Sequence, residues 1–497
     1  MWIYLLLPIL TLSFLLIRRR FSYWQRQGVP FIPARFPVGS FDGVGVRNHP
    51  SQLLAKFYRQ MKGLHPFVGV YYFLQPVVVV LDLDFAKTIL IRDFQYFHDR
   101  GLYYNEKDDP ISGNLLHLEG SRWTNQRKKL IPTFSSGKLR MMCPTILKVA
   151  DNLKVSFERY VAERDEIEIK DILARFSTDV IASCAFGLDC SSLLEADDEF
   201  RRMGTKVFDI SGWKLLKLFF VFAFGNVARR CHMKLIDEDI SQFFFKVVRE
   251  TIDFRKKNHV HRKDFLNLLI QLKDNGELEG SNEKLGTLTL NEVVAHSFVF
   301  FLGGFETAST TMSYCLYELS LNEEVQERAR QCVKAAIHKY GDLNYDALLD
   351  MPYLEQCINE TLRKYPPSTI YRIVTQNYHV PDSSIVFPKG MSVMIPVYAI
   401  HHDPEFWPSP ELYDPDRFAP EECVSRNPLT FIPFGEGPRM CVAARLGVLQ
   451  TKIGLATLLM NFRFSRCKNS TEPLQYSPKH FILTPVGGLK MRVEKIQ

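Results

Sequence analysis

The chain has 497 residues, of which 46% are hydrophobic and 24% charged, and it carries a net charge of +7. That length holds two to four average domains or one large enzyme fold, with composition enough for a sizeable core. So mild a charge does not indicate nucleic acid; it fits an anionic membrane surface or an acidic protein partner better.

Residues 2–17, WIYLLLPILTLSFLLI, make a mostly apolar run slightly short of the ~20 residues that span a bilayer, and Arg18, Arg19 and Arg20 follow it. A cleaved signal peptide has its basic residue before the apolar run and small residues at its end, and neither is present. Residues 1–20 therefore read as an uncleaved membrane anchor whose basic flank keeps the rest of the chain on the cytosolic side. The alternative is a buried N-terminal helix. Residues 21–45 include Pro30, Pro33 and Pro37; fixed φ angles and missing donors make this a semi-rigid hinge. Residues 46–497 show no repeat and no linker, and read as one body.

Within that body, residues 66–82 (PFVGVYYFLQPVVVVLD) alternate and β-branch as paired strands do. From 85 to 365 the pattern is mostly helical, with long helices expected at 146–163, 169–187, 236–256 and 290–320. The segment 213–224 (WKLLKLFFVFAF) is apolar but too short to span, so it is either core or a surface patch that dips into a membrane. Strand-like, proline-rich segments return at 370–435, and a last helix starts at about 442. The fold class is mainly α with a smaller β region, α+β.

The helix expected over 293–319 (VVAHSFVFFLGGFETASTTMSYCLYEL) is apolar on nearly all sides through its first half, and so is buried. A second membrane span is an alternative, at a cost of a few kcal/mol for Glu306. Gly303 and Gly304 each cost about 0.5–1 kcal/mol relative to alanine inside a helix, which points to something bulky close to the backbone. Thr307 lies four and three residues after them and shares their face. Glu306 beside it is an ionisable group in apolar surroundings. Two readings stand: a helix-packing notch with a buried ion pair, or a carboxylate and hydroxyl that deliver protons into a dry site.

Ten cysteines at irregular spacing, with no CxxC, do not form a zinc site or a sulfur framework, and read as reduced, mostly buried thiols. Cys441 differs from the rest. It sits in FIPFGEGPRMCVAARLG (431–447), after a Gly- and Pro-rich loop and at the expected start of a helix. Partial positive charge and unpaired N–H groups there favour the thiolate. A single thiolate with no nearby His or Cys disfavours zinc and suits the axial position of a haem iron.

The run Phe434-Gly-Glu-Gly437-Pro-Arg439-Met-Cys441-Val-Ala443 resembles the haem-binding signature of cytochrome P450 monooxygenases, with Ala443 where the family has glycine. Gly303-Gly-Phe-Glu306-Thr307 resembles the family's oxygen-activation motif, with Ala308 where a second Thr or Ser is common. Glu360-Thr-Leu-Arg363 and Pro415-Asp-Arg417-Phe418 are similar to its Glu–Arg–Arg network, and Trp123 with Arg127 to its WxxxR pair. The motifs run in the family's order, and 179–188 and 262–269 resemble the insect detoxification group of the microsomal class.

The resemblance implies a cytochrome P450 fold with haem b bound through Cys441. It also implies propionate partners Trp123, Arg127, Arg372 and Arg439, a loop framed by Phe434 and Gly437, and catalytic Glu306 and Thr307. It implies a monooxygenase on the cytosolic face of the endoplasmic reticulum that puts one oxygen atom of O2 into apolar small molecules. The electrons come from NADPH through a separate cytochrome P450 reductase, with cytochrome b5 as a further partner. Arg127, Lys128, Lys129, Lys138, Arg140 and Arg445 are candidates for the docking face. Residues 111–118, Val299, Leu302, 367–371 and 481–483 are candidates for the pocket. The alternatives are a haem-thiolate isomerase or dehydratase, and a non-catalytic haem sensor.

Overall fold

The computed structural model describes residues 2–190, 192–194, 199–208, 213–280, 283–470 and 472–496. Helix α1 (Trp2–Phe21) covers the N-terminal run and its arginine flank. Residue 1 and the side chains of 2–7 and 9, part of the expected anchor, lie outside the described residues. Among the described residues no helix is long and apolar enough to cross a membrane.

The expected hinge does not stand free. Trp24 is fully buried, its Nε1 donates to the Val70 carbonyl at 3.0 Å, and a Cβ on Gly69 would come within 2.3 Å of its ring. The amides of Ile32 and Gly69 bond to Gly69 and Pro30 carbonyls at 2.9 Å. Backbone stiffened by proline has little freedom left to lose, so this docking costs little entropy.

The paired strands form as expected. β1 (Phe67–Tyr72) and β2 (Gln75–Val80) make an antiparallel hairpin. Two strands from the proline-rich region, β3 (Ile370–Ile373) and β4 (Ser392–Ile395), complete a sheet in the order β1-β2-β4-β3, with β2 and β4 parallel.

The larger core is helical. It contains α2 (Gly120–Leu130), α3 (Ser136–Glu163), α4 (Ile169–Ile181), α5 (Leu290–Leu321), α6 (Pro352–Lys364) and α7 (Ala444–Asn461). Helix α3 begins ten residues before the expected 146 and runs through Pro144. Leu139, Met142, Cys143, Ile146, Val149, Ala150, Leu153 and Phe157 keep helical spacing across the proline and are all buried, so packing outweighs the lost hydrogen bond. Helix α4 stops earlier than expected, because 182–186 widen into a π turn that ends at Gly187, φ 69°. Residues 213–223 are helical, with Trp213 78% exposed and Val221 buried against Tyr103 and Ala228. That segment is therefore part core and part surface; the side chains of 215, 216, 219, 222 and 223 lie outside the described residues.

Helix α5 is the axis of this core. Its start is fixed by a reciprocal capping box between Thr289 and Glu292. Small residues let its neighbours approach: a Cβ on Gly304 would lie 2.3 Å from Cδ1 of Ile181 in α4, and one on Gly454 of α7 would lie 2.5 Å from Sδ of Met312.

Helix α6 carries a buried ion pair. Arg363 donates to both carboxylate oxygens of Glu360, Nε to Oε2 at 2.7 Å and Nη2 to Oε1 at 2.8 Å, and neither side chain is exposed. Arg363 also donates to the carbonyls of His401 and Pro410, while Glu360 accepts from the Asp414 amide and lies 3.5 Å from Arg417. Together these ties fasten the 401–417 loop to α6. Arg363→Ala, which leaves Glu360 buried and unpaired, is expected to cost about 3–5 kcal/mol. A clear fall in thermal midpoint and in yield of folded protein checks this.

Candidate active site

The loop before Cys441 is shaped by two glycines, Gly435 at φ 76° and Gly437 at φ 74°. A Cβ on Gly437 would sit 2.1 Å from the Leu90 carbonyl oxygen, so only glycine fits there. The loop closes on itself where the Cys441 amide donates to the Phe434 carbonyl at 2.9 Å. The following helix starts at Ala444, two residues later than expected, with Ala443 as its N-cap at φ −101°. Ala443 thus adopts an ordinary backbone conformation that needs no glycine. Its backbone N–H bonds to the Cys441 sulfur. Burial pushes the Cys441 thiol up, and the Ala443 N–H with the Arg100 and Arg127 guanidiniums pulls it down.

Cationic side chains crowd one side of this loop. Arg439 stacks over the Trp123 ring at 4.0 Å, and Arg127 lies 5.7 Å from the same ring. Arg439 donates to the carbonyls of His98 (2.7 Å) and Leu118 (2.8 Å) and to Asp99 Oδ1 (3.2 Å). Arg372 reaches the cluster from β3, where its Nη1 donates to the Tyr371 carbonyl. Burial holds Arg372 down to about 9 and Arg439 to about 8, and in both the nearby Arg100 adds to the effect. Arg100 was not a sequence candidate. It bridges the carbonyls of Leu116 and Arg439, is itself lowered to about 10, first by burial, and belongs to no motif that would have flagged it.

Three donors in this cluster are buried without a hydrogen-bond partner: Trp123 Nε1, Arg372 Nε and Arg439 Nη1. Orphaned donors of that kind are costly unless a ligand satisfies them. They belong to three of the four side chains expected to hold the haem propionates, and a dianionic edge matches both the charge and the open valences. The residues fit the group.

On α5 the two glycines differ. Gly304 is the packing notch described above. Gly303 has nothing within 4 Å of where its Cβ would be and is exposed in a helix otherwise mostly buried. The Thr307 hydroxyl donates to the Gly303 carbonyl. Glu306 is not an isolated charge: its Oε1 lies 2.7 Å from Lys170 Nζ of α4 and accepts from Thr310 Oγ1 at 3.5 Å. Ala308 is buried in the core.

The surrounding candidates divide too. Ile111, Leu115, Leu118 and Leu483 are buried, whereas Phe481 is 59% exposed. Of the expected basic face, Arg140 is committed to Asp346 through two bonds of 2.6 Å, and Lys129 and Lys138 donate to the carbonyls of Thr287 and Glu279. Cys441 carries a free thiol.

Gly437→Ala is expected to cost at least about 1 kcal/mol through its positive φ and clash. Ala443→Gly is expected to stay within about 1 kcal/mol. Thermal midpoints and the haem absorbance retained per chain check the contrast.

Residues 32–491 match the family model described as Cytochrome P450. Cytochrome P450 6A1 of Musca domestica is 42% identical over 502 residues, covering 100% of this chain and 98% of its own. Probable cytochrome P450 6a14 of Drosophila melanogaster is 42% identical over 501 residues, 98% of each chain. Cytochrome P450 6a2 of the same fly is 41% identical over 503 residues, 99% of each. With likeness along its whole length, the chain belongs to the cytochrome P450 family, and is a cytochrome P450 monooxygenase whose cofactor is haem b with an axial cysteine thiolate.

Proposed function

We propose that Cys441 is the thiolate ligand, that Trp123, Arg127, Arg372 and Arg439 hold the propionates, and that Glu306 and Thr307 conduct protons on the opposite face. Phe434 and Gly437 frame the ligand loop. The observation that carries this reading is the convergence of three orphaned buried donors, Trp123 Nε1, Arg372 Nε and Arg439 Nη1, beside the Cys441 loop. Arg100, which shares the cluster, is a further propionate partner.

When bound, the haem supplies O2 binding and O–O cleavage promoted by thiolate electron donation. The protein's own part is positional. The Ala443 N–H and the Arg100 and Arg127 cations stabilise negative charge on the Cys441 sulfur. Thr307 donates to its own helix carbonyl, so its oxygen is left to accept a proton coming from Glu306 and pass its own toward the Gly303 face. Phe301 and Phe305, stacked at 5.5 Å, leave α5 about 200° around from Gly303 and pack with Phe200 and Phe208 in the core. The side chains at the candidate pocket positions Ile111, Leu115, Leu118 and Leu483 are apolar, which favours apolar substrates.

The enzyme is accordingly read as oxygenating apolar xenobiotics or endogenous lipids and hormones. Its electrons come from NADPH through a separate cytochrome P450 reductase, with cytochrome b5 as a second donor. Residues 1–20 anchor it to the endoplasmic reticulum, with the catalytic body, 46–497, on the cytosolic side.

Reduced, CO-treated protein is expected to show the red-shifted Soret band of thiolate ligation, and Cys441→Ser to lose it. A globin-like band in the intact protein would remove Cys441 from the iron. With reductase, NADPH and a panel of apolar compounds, oxygenated products are expected; Thr307→Ala is expected to divert most of the electrons to peroxide. Removal of residues 1–20 is expected to loosen membrane attachment while haem uptake persists, as measured by fractionation and haem absorbance.

A further inference from the structure

Glu306 is partnered across a helix interface, and the partner sits in a place of its own. Lys170 is the second residue of α4, whose first turn is fixed by Glu168 accepting from the Lys170 and Asp171 amides. Its ammonium lies 2.7 Å from Glu306 Oε1 and 3.4 Å from Thr484 Oγ1. The pair is largely enclosed, with 17% of the lysine and 15% of the glutamate side chain accessible. The other groups facing it are Thr310 from α5 itself and His480, whose protonation is disfavoured first by desolvation and then by Lys170, and favoured by Glu306. Tyr314, two turns further along α5, also feels the carboxylate.

Glu306 and Thr307 are consecutive, so their side chains leave the helix about 100° apart. The hydroxyl turns back to Gly303 while the carboxylate reaches toward α4 and the 477–484 segment. A carboxylate left alone on that enclosed surface would sample several rotamers and pay for its desolvation. We propose that Lys170 is a positioning residue for Glu306: the ion pair parks the carboxylate on the side open to His480 and recaptures it after each proton has been handed toward Thr307. The step moves only a proton: neutral Glu306 gives its proton toward Thr307 and becomes a carboxylate, the carboxylate re-pairs with the Lys170 ammonium, and a proton from solvent restores the acid. This inference rests on the reading of Glu306 and Thr307 as the proton path.

The test uses full-length ferric enzyme with Lys170→Met, Lys170→Arg, Glu306→Gln and the Met/Gln double variant. The first readout is thermal midpoint, without turnover. Each single loss of charge is expected to lower it, and the double variant to fall no further than the worse single; strict additivity would mean that no pair forms in solution and would overturn the proposal. The second readout is peroxide released per NADPH with reductase and a substrate. Lys170→Met is expected to raise it at least about threefold, a small part of what a positioned acid contributes, and Lys170→Arg to restore most of the coupling. If Glu306→Gln uncouples while Lys170→Met does not, the pair is merely structural and the proposal fails alone. If neither Glu306→Gln nor Thr307→Ala changes the peroxide ratio, the proton-path reading itself fails.

Discussion

Guanidinium groups are buried here with too little negative charge to match them. Around the Cys441 loop, Arg100, Arg372 and Arg439 repel one another, and the carboxylate that serves them is oversubscribed. A single oxygen of Asp99 meets the His98 ring nitrogen at 2.7 Å, the Gly120 amide at 2.8 Å and Arg439 at 3.2 Å. Much else follows from that imbalance. β3 exists at the sheet edge to bring Arg372 inward, α2 to bring Trp123 and Arg127, and the glycine-bent loop to bring Arg439. On the proposed reading, a ligand that carries two carboxylates would relieve the repulsion at once, and cofactor binding and stability of this region would be linked by mass action.

On helix α5, helical rotation distributes tasks among adjacent residues. Gly304 lets α4 close on α5, and Gly303 keeps the neighbouring face clear. Glu306 looks toward Lys170, and Thr307 looks back at Gly303. Four tasks thus occupy less than a turn and a half of helix, because each residue step turns the side chain by about 100°.

Much of this was legible in the sequence, for identifiable reasons. The hairpin 66–82 and the buried helix 290–320 declare themselves by period, and the Cys441 loop by glycines that the backbone requires. What stayed hidden depends on contacts distant in sequence. Helix α3 was expected only from 146, but its buried face runs back across Pro144. Arg100 stands in no motif, and only the fold sets it beside Arg439. The Lys170–Glu306 pair joins positions far apart in the chain. Ala443 departs from the family pattern, and its φ of −101° is a backbone conformation that alanine adopts without strain.

The docking of residues 21–45 bears on how the molecule meets others. The Tyr71 hydroxyl donates to the Phe21 carbonyl at 2.7 Å, Arg26 reaches back to the Arg19 carbonyl at 2.9 Å, and Trp24 is locked against Gly69. The direction in which α1 leaves the body is thereby set. For a protein held to a surface through α1, this segment acts as a mast and not as a leash. On the proposed anchoring, the body would sweep through few tilts, and an electron donor fixed to the same surface would meet it within a narrow range of approach angles. Orientation would then be settled before encounter, and diffusion would search only two dimensions.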